Sequence, residues 1–366
     1  MLVKRENTAL VVMTAVFLGG FMLWSILKPA DAESVSERRP LAAFPALSAA
    51  SVSSGEFMSG FETYALDQFP LRDQFRGLKA FTVFYIFGQQ DNNKIYIEDG
   101  YAAKLEYPMD ADSIEYAAER FRFVYDRYLA DKNMKVYLSV IPDKNYFMAR
   151  QSGRPAIDYE AFIAGVRERT DFAAYIDITG LLELSDYYRT DTHWRQERIT
   201  DVARYLAAEM GASVSDEYTV NEVSTPFYGV YYGQSALSLP ADTLYYLDNA
   251  YLDACEVYDY EAGAYTSVYD LDKTGGKDPY ELFLSGPRSL LTIENPNART
   301  DKELILFRDS FGSSIAPLLA EGYGKITLVD IRYLSPQMLD RFITFADQDV
   351  LFLYSVSVLN NSITIK

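Results

Sequence analysis

The sequence contains little cysteine, little histidine and few positive charges. Its 366 residues include one cysteine, Cys255, and one histidine, His193. A single cysteine cannot form an intrachain disulfide, which suits a reducing compartment and equally an exported protein that folds without disulfides. A single histidine excludes a histidine-rich metal site, and neither a metal nor another cofactor is predicted. The formal net charge of −18 repels phosphate backbones, so nucleic acid is not an expected partner.

Charge is absent from a long run near the N-terminus. Residues 8–27, TALVVMTAVFLGGFMLWSIL, are uncharged, and about 20 apolar residues can cross a bilayer as a helix. Lys4 and Arg5 precede this run, so the positive-inside rule places the N-terminus in the cytoplasm and the bulk of the chain outside it, at the cell membrane. We interpret residues 1–28 as a cytoplasmic tip and a transmembrane signal-anchor. A cleaved signal peptide is the alternative, because residues 30–32 (ADA) have the form of a cleavage site.

The rest of the chain is predicted to fold as an α/β domain. Residues 29–55 are rich in Ala, Ser and Pro and resemble a linker, and residues 56–366 form the predicted extracytoplasmic domain. Predicted strands alternate with helices, which indicates a three-layer α/β domain around a central parallel sheet. The predicted strands are 135–141, 174–179, 302–307, 325–331 and 349–356, and the predicted helices are 112–129, 159–169, 195–210, 312–320 and 335–345.

One segment, residues 217–300, interrupts this alternation. Its part 217–280 carries twelve of the thirty tyrosines, with scattered Gly and Asp, and we predict a β-rich insertion. Tyrosine packs well on a pleated surface, so a structural role is one interpretation. The other interpretation is a platform for sugar rings, because an aromatic face with a polar tip suits an amphipathic ligand.

His193 is the one side chain available for imidazole chemistry at neutral pH. Asp191 lies two residues before it, and in an extended segment both side chains point to the same side, so Asp191 could orient the ring. Ser310 follows a predicted strand and precedes a predicted helix, where its own N–H and its neighbours' could stabilise an oxyanion. These residues suggest a Ser-His-Asp triad. The alternative is a structural histidine and an ordinary serine in a strand-to-helix turn.

The motifs DTHW (191–194) and FRDSFGSS (307–314) together resemble the DHHW-motif family, which is related to the alginate O-acetylation proteins. The segments SERRPLAAFP, ETYALDQFPLRDQF, IEDGYAAKL, SVIPDKNYF and DIRYL add to the resemblance. It implies an SGNH-hydrolase-like fold with Ser310 as nucleophile, His193 as general base and Asp191 as its orienting partner. Thr192 departs from the motif, since histidine stands there in the family name. Residue 192 has no role in a Ser-His-Asp triad, so this departure does not affect the proposed triad.

The resemblance further implies an O-acyltransferase, with acetyl the expected group, or an esterase that acts on a cell-surface polysaccharide. It suggests a multispanning membrane-bound O-acyltransferase as the partner that supplies the acyl group. Arg332 and Tyr333 are candidate substrate contacts because they follow the fourth predicted strand, and Trp194 could wall the site. A glycan-binding or scaffold module without catalysis is the competing hypothesis.

Overall fold

The computed structural model describes residues 2–366, with side chains from residue 7 onward. The described residues form two compact units. Unit 1 comprises the chain up to Asn93 together with Tyr232–Ser238, and unit 2 comprises Lys94–Tyr231 together with Leu239–Lys366.

Unit 1 is mainly helical. Its first helix is long and apolar enough to cross a membrane, with a candidate span at Asn7–Leu27. A π-helical turn, Thr82–Ile86, continues the last helix. The elements are α1 (Leu2–Leu27), β1 (Glu33–Ser34), β2 (Arg39–Pro40), α2 (Ala49–Ser53), α3 (Glu56–Asp67) and α4 (Arg72–Phe81).

Unit 2 contains the remaining strands and helices, and α9 includes one of the points where the chain passes between the units. The strands are β3 (Ile95–Glu98), β4 (Tyr101–Lys104), β5 (Val136–Ile141), β6 (Ala174–Tyr175), β7 (Thr219–Glu222), β8 (Tyr245–Asp248), β9 (Glu256–Asp259), β10 (Ala264–Thr266), β11 (Leu290–Glu294), β12 (Glu303–Arg308), β13 (Lys325–Val329) and β14 (Asp349–Ser355). The helices are α5 (Ala111–Val124), α6 (Lys144–Ser152), α7 (Tyr159–Arg169), α8 (Thr200–Glu209), α9 (Val230–Ser235), α10 (Gly312–Leu319) and α11 (Val356–Leu359).

An eight-stranded sheet in the order β10-β9-β11-β13-β12-β14-β5-β6 forms the centre of unit 2. The neighbours from β13 to β6 pair in parallel, whereas β9, β10 and β11 pair antiparallel at one side. The predicted β-rich segment therefore contributes to the main sheet through β9, β10 and β11. The parallel strands end at a common edge, which is where open α/β sheets place their ligands.

Both faces of the sheet are covered by core residues. Leu304 and Leu306 of β12 pack on one side, with α8 and α10, while Ile305 and Phe307 pack on the other, with α5 and α7. Alternate residues of a strand point to opposite faces, so a strand covered on both sides is apolar throughout. This confirms the predicted three-layer α/β architecture around a mostly parallel central sheet.

Most predicted elements agree with the observed ones to within a few residues at their ends, and three differ more strongly. The predicted strand 174–179 pairs only over Ala174–Tyr175, because the chain then turns into a 3₁₀ helix at Thr179–Leu181. The predicted helix 335–345 is a 3₁₀ helix, Pro336–Arg341. The predicted helix 195–210 is divided into a 3₁₀ turn, Gln196–Arg198, and α8. Tertiary packing decides these short elements, and local propensity does not.

Candidate active site

Ser310 lies between β12 and α10, at the carboxyl edge of the parallel strands. The buried carboxylate of Asp309 holds this turn in place. One of its oxygens accepts the Phe311 N–H at 3.0 Å, and the other accepts the N–H of Ser355, at the end of β14, at 2.8 Å. Asp309 therefore links two neighbouring strands at the point where Ser310 leaves the sheet.

A close backbone approach follows at Gly312, the first residue of α10. A Cβ atom at this position would lie 2.6 Å from Cβ of Arg308, which is closer than carbon atoms can pack. Arg308 is itself fully buried, 3.8 Å from the carboxylate of Asp330 at the end of β13. Glycine at 312 thus lets α10 begin directly over the end of β12.

Asp191, His193 and Ser310 lie together at this edge. Nδ1 of His193 is 2.6 Å from Oδ1 of Asp191, and Nε2 is 2.7 Å from Oγ of Ser310. If the Nδ1 proton is donated to Asp191, Nε2 is left with a lone pair directed at the serine hydroxyl. The three side chains therefore form a continuous hydrogen-bonded chain with the geometry that a serine nucleophile requires.

Asp191 meets His193 through a turn, and not through the predicted extended segment. Its Oδ1 also accepts the backbone N–H of His193 at 3.0 Å, which is the two-residue contact of an Asx turn. Its Oδ2 accepts the N–H of Val230 at 2.8 Å. A Cβ atom at Gly229 would lie 2.3 Å from Cα of Asp191, so glycine is needed for Val230 to reach the carboxylate.

Two further side chains anchor the loop that carries Asp191. Asp242 accepts the N–H groups of Arg189 at 2.9 Å and of Thr190 at 2.8 Å. The buried ammonium of Lys144, at the start of α6, donates to the carbonyls of Tyr188 at 2.8 Å and Arg189 at 3.2 Å. Burial lowers the pKa of Lys144 to about 7, although the nearby carboxylate of Asp191 opposes the shift.

The His193 ring is enclosed by aromatic side chains. Tyr280 stacks on it with 3.9 Å between ring centroids and 7° between ring planes, and Phe311 lies at 4.9 Å. The Tyr280 hydroxyl donates to Oγ of Ser314 at 2.9 Å. Burial raises the pKa of Tyr280 well above its usual value, so the phenol stays neutral. Tyr280 belongs to the tyrosine-rich segment, and here its ring supports the imidazole.

The three candidate substrate contacts occupy different environments. Trp194 is fully buried, and its indole N–H donates to Oγ of Ser314 at 2.8 Å, so it lies in the core beneath the site. The Arg332 guanidinium is held by Asp330 through two hydrogen bonds of 2.9 and 2.6 Å. Tyr333 is 52% exposed. Tyr333 therefore has the accessibility that a substrate contact needs.

Thr192, at the departure from the motif, accepts a hydrogen bond from the hydroxyl of Tyr231 at 3.0 Å. Sequence reasoning missed Lys144, Tyr231, Asp242 and Tyr280 as parts of this site. Lys144 does fall in the segment SVIPDKNYF that supports the family resemblance. No local signal distinguishes the others, because each reaches the site from a distant part of the chain.

A separate cavity of about 580 Å³ lies at the opposite edge of the sheet. It is lined by Glu303, Lys325 and Asp349, which begin β12, β13 and β14. Ser310 lies past the other end of β12. This cavity is therefore remote from the residues that form the hydrogen-bonded chain.

Comparisons with known proteins agree with the motifs. Residues 180–329, which include Asp191, His193 and Ser310, match the sequence model of the family described as DHHW protein. Over this stretch the chain is similar to DHHW-family proteins. The predicted family resemblance is thereby confirmed. No curated protein matches the sequence.

Solved structures resemble this chain in fold over more than residues 180–329. A DHHW family protein from Eubacterium siraeum is 20% identical with a TM-score of 0.58, covering 75% of this chain and 95% of that one. Two structures of Bacillus cereus PatB1 are 17% identical and cover 72% of this chain. The first has a TM-score of 0.57 and 96% of its chain is covered, and the second, with a sulfonyl adduct, has a TM-score of 0.56 and 95% of its chain is covered. The SGNH-hydrolase-like fold that the DHHW resemblance implied is confirmed.

Proposed function

We propose that this chain is an extracytoplasmic, membrane-anchored serine O-acyltransferase or esterase that acts on a cell-surface polysaccharide. The observation that carries the proposal is the 2.7 Å separation between Nε2 of His193 and Oγ of Ser310, with Nδ1 held by Asp191 at 2.6 Å. The family resemblance supplies the substrate class, with acetyl as the expected group. Residues 180–329, which match the family, contain all three side chains.

In the first half-reaction, His193 Nε2 takes the hydroxyl proton of Ser310 as Oγ attacks the carbonyl carbon of an acyl donor. The tetrahedral intermediate carries its negative charge on the former carbonyl oxygen. The bond from carbon to the leaving group then breaks, and the leaving group receives the proton from His193. The products are an acyl-serine ester and the protonated leaving group.

In the second half-reaction, His193 takes the proton of a sugar hydroxyl, whose oxygen attacks the acyl-serine carbonyl. The ester bond to Ser310 Oγ breaks, and Oγ regains the proton from His193. Water in place of the sugar gives hydrolysis. Transfer therefore requires a site that binds the sugar and limits access of water.

Oxyanion stabilisation is assigned to the Ser310 N–H, next to the amino end of α10. The neighbouring N–H groups are already engaged in the turn. Phe311 donates to the side chain of Asp309 at 3.0 Å, and Gly312 donates to the Asp309 carbonyl at 3.0 Å. The Ser310 N–H is therefore the donor in this turn that we propose for the oxyanion.

The membrane anchor in this proposal is α1, with its candidate span at Asn7–Leu27. The positive-inside rule assigns the remaining chain to the outside of the cytoplasmic membrane. A multispanning membrane-bound O-acyltransferase is the proposed source of acyl groups, because an acyl donor made in the cytoplasm must be delivered across the bilayer.

The test is turnover of p-nitrophenyl acetate by the full chain in detergent micelles, beside Ser310→Ala and His193→Ala. Loss of either residue should lower the acyl-transfer rate on the order of 10⁴-fold or more. Intact mass measurement after brief exposure to the ester should show an acyl adduct in the wild type and none in Ser310→Ala. Three folded and equally inert proteins would instead favour the glycan-binding scaffold, and binding of polysaccharide without turnover would identify it.

A further inference from the structure

In unit 1, the amphipathic helix α4 is oriented with its apolar side outward. We define the apolar patch as six side chains on α4, on the π turn that follows it and on the residue that precedes it, which are between 38% and 64% exposed: Leu71, Phe75, Leu78, Phe81, Tyr85 and Ile86. Phe75 and Leu78 are three residues apart on α4, so they share one face of the helix, and Leu71 immediately precedes its first turn. A water-soluble surface rarely exposes so many large apolar groups together.

The polar side of α4 packs inward through ion pairs. Arg72 lies 2.5 Å from a carboxylate oxygen of Glu37, and Arg76 lies 3.3 Å from the other oxygen. Arg76 also donates to the carbonyl of Gly233 at 2.7 Å. These contacts fix the rotation of α4 about its axis. The outward direction of the apolar patch therefore follows from the structure of unit 1 itself.

The apolar patch is continuous with the candidate membrane span. Phe21 of α1 stacks on Phe69, with 5.4 Å between centroids and 1° between planes, and meets the edge of Phe75 at 5.8 Å. Phe21 lies six residues before Leu27, the end of the span. At 1.5 Å per residue, this places Phe75 at a depth of about 9 Å inside that end.

We propose that the apolar patch is inserted in the interfacial layer of the bilayer, on the side where α1 ends. The contact with Phe21 identifies lipid as the partner of the apolar patch, because a side chain that touches the span at that depth already lies among the lipids. Phenylalanine and leucine typically form the buried face of an interfacial amphipathic helix, and tyrosine, here Tyr85, concentrates at the level of the lipid headgroups. This inference rests on the anchor that the proposed function assigns to α1, and it does not depend on any chemistry at Ser310. Unit 1 is then held to the membrane by α1 and by the face of α4.

The test places fluorophores on the full chain reconstituted in vesicles of phosphatidylcholine and phosphatidylglycerol. In a Cys255→Ser background, single cysteines are introduced by Leu78→Cys and Ile86→Cys, which are 60% and 64% exposed. The controls are Tyr265→Cys and Ile363→Cys, in unit 2, at 71% and 81% exposed. Each cysteine carries an environment-sensitive nitrobenzoxadiazole label, and unchanged thermal unfolding confirms the fold of each variant.

Two quenchers separate the outcomes. Labels at 78 and 86 should be quenched by spin-labelled lipid and should show several-fold weaker quenching by aqueous iodide than labels at 265 and 363. All four labels share the same distribution of orientations in the vesicles, so their ratios can be compared directly. Iodide quenching at 78 and 86 equal to that of the controls would overturn the proposal. Protection from iodide without lipid quenching would also overturn it, since a second copy or a membrane protein partner would then cover the patch.

Discussion

The Tyr280 ring lies flat on the imidazole of His193, with 3.9 Å between their centroids. The stack restricts rotation of the imidazole, while Asp191 fixes its Nδ1 edge at 2.6 Å. Together these contacts direct Nε2 at Ser310. Tyr280 is thus a positioning residue in the proposed mechanism, and its ring and hydroxyl have separable roles.

Replacing Tyr280 by alanine should lower kcat on the order of 10²-fold, because small displacements of a reacting group cost that much. Tyr280→Phe keeps the stack and loses only the hydrogen bond to Ser314, so its kcat should stay near that of the wild type. Steady-state kinetics with p-nitrophenyl acetate measure both variants. Equal losses in the two variants would argue against a role for the stack.

Replacing Asp191 by asparagine should lower kcat on the order of 10⁴-fold, because an amide cannot stabilise the imidazolium and favours the wrong tautomer. The matched control is Asp216→Asn. Asp216 is 59% exposed in an ion pair with Arg204, so its replacement should leave kcat unchanged. A folded Asp191→Asn protein with wild-type kcat would contradict the orienting role.

Lys144 should give the protein a distinctive dependence of stability on pH. Burial lowers its pKa in the folded state to about 7, whereas its ordinary value is 10.5. Between these pH values the unfolded chain binds more protons than the folded chain, so the free energy of unfolding rises with pH. Relative to Lys144→Met, the wild type should gain up to about 1.4 kcal/mol per pH unit above pH 7.

Urea unfolding of the full chain in detergent micelles measures this difference. Tryptophan fluorescence reports on the unfolding of unit 2, because Trp194 is fully buried there. The other tryptophan, Trp24, lies in the candidate span. Lys132→Met is the control, since Lys132 is an exposed lysine. A difference between wild type and Lys144→Met that stays constant from pH 7 to pH 10 would show that Lys144 keeps its proton in the folded state.

Trp194→Phe and Tyr333→Ala should have different effects, because Trp194 packs in the core and Tyr333 is a candidate substrate contact. Trp194→Phe leaves Ser314 Oγ without its indole donor and creates a cavity, so the free energy of unfolding should fall by about 1–3 kcal/mol with KM unchanged. Tyr333→Ala should raise KM for a polysaccharide acceptor and leave stability within about 0.5 kcal/mol, as usual for exposed sites. An altered KM in the tryptophan variant alone would reverse the two roles.

The sequence by itself determined several features of this protein because they depend on local pattern or on composition. The uncharged run 8–27, the apolar strands at 302–307 and 349–356, and the turn at Ser310 are all readable within a few residues. A chain with one histidine also leaves no choice of imidazole, so His193 and its neighbour Asp191 follow directly. The motif pair around these residues then indicates the family.

Only the tertiary structure decided which groups surround these residues. The contact between His193 and Ser310 joins positions 117 residues apart, and Lys144, Val230, Asp242 and Tyr280 approach from still other segments. The outward rotation of α4 depends likewise on ion pairs to Glu37. Such contacts form when distant elements pack, and a periodicity that shows an apolar face does not show what that face meets.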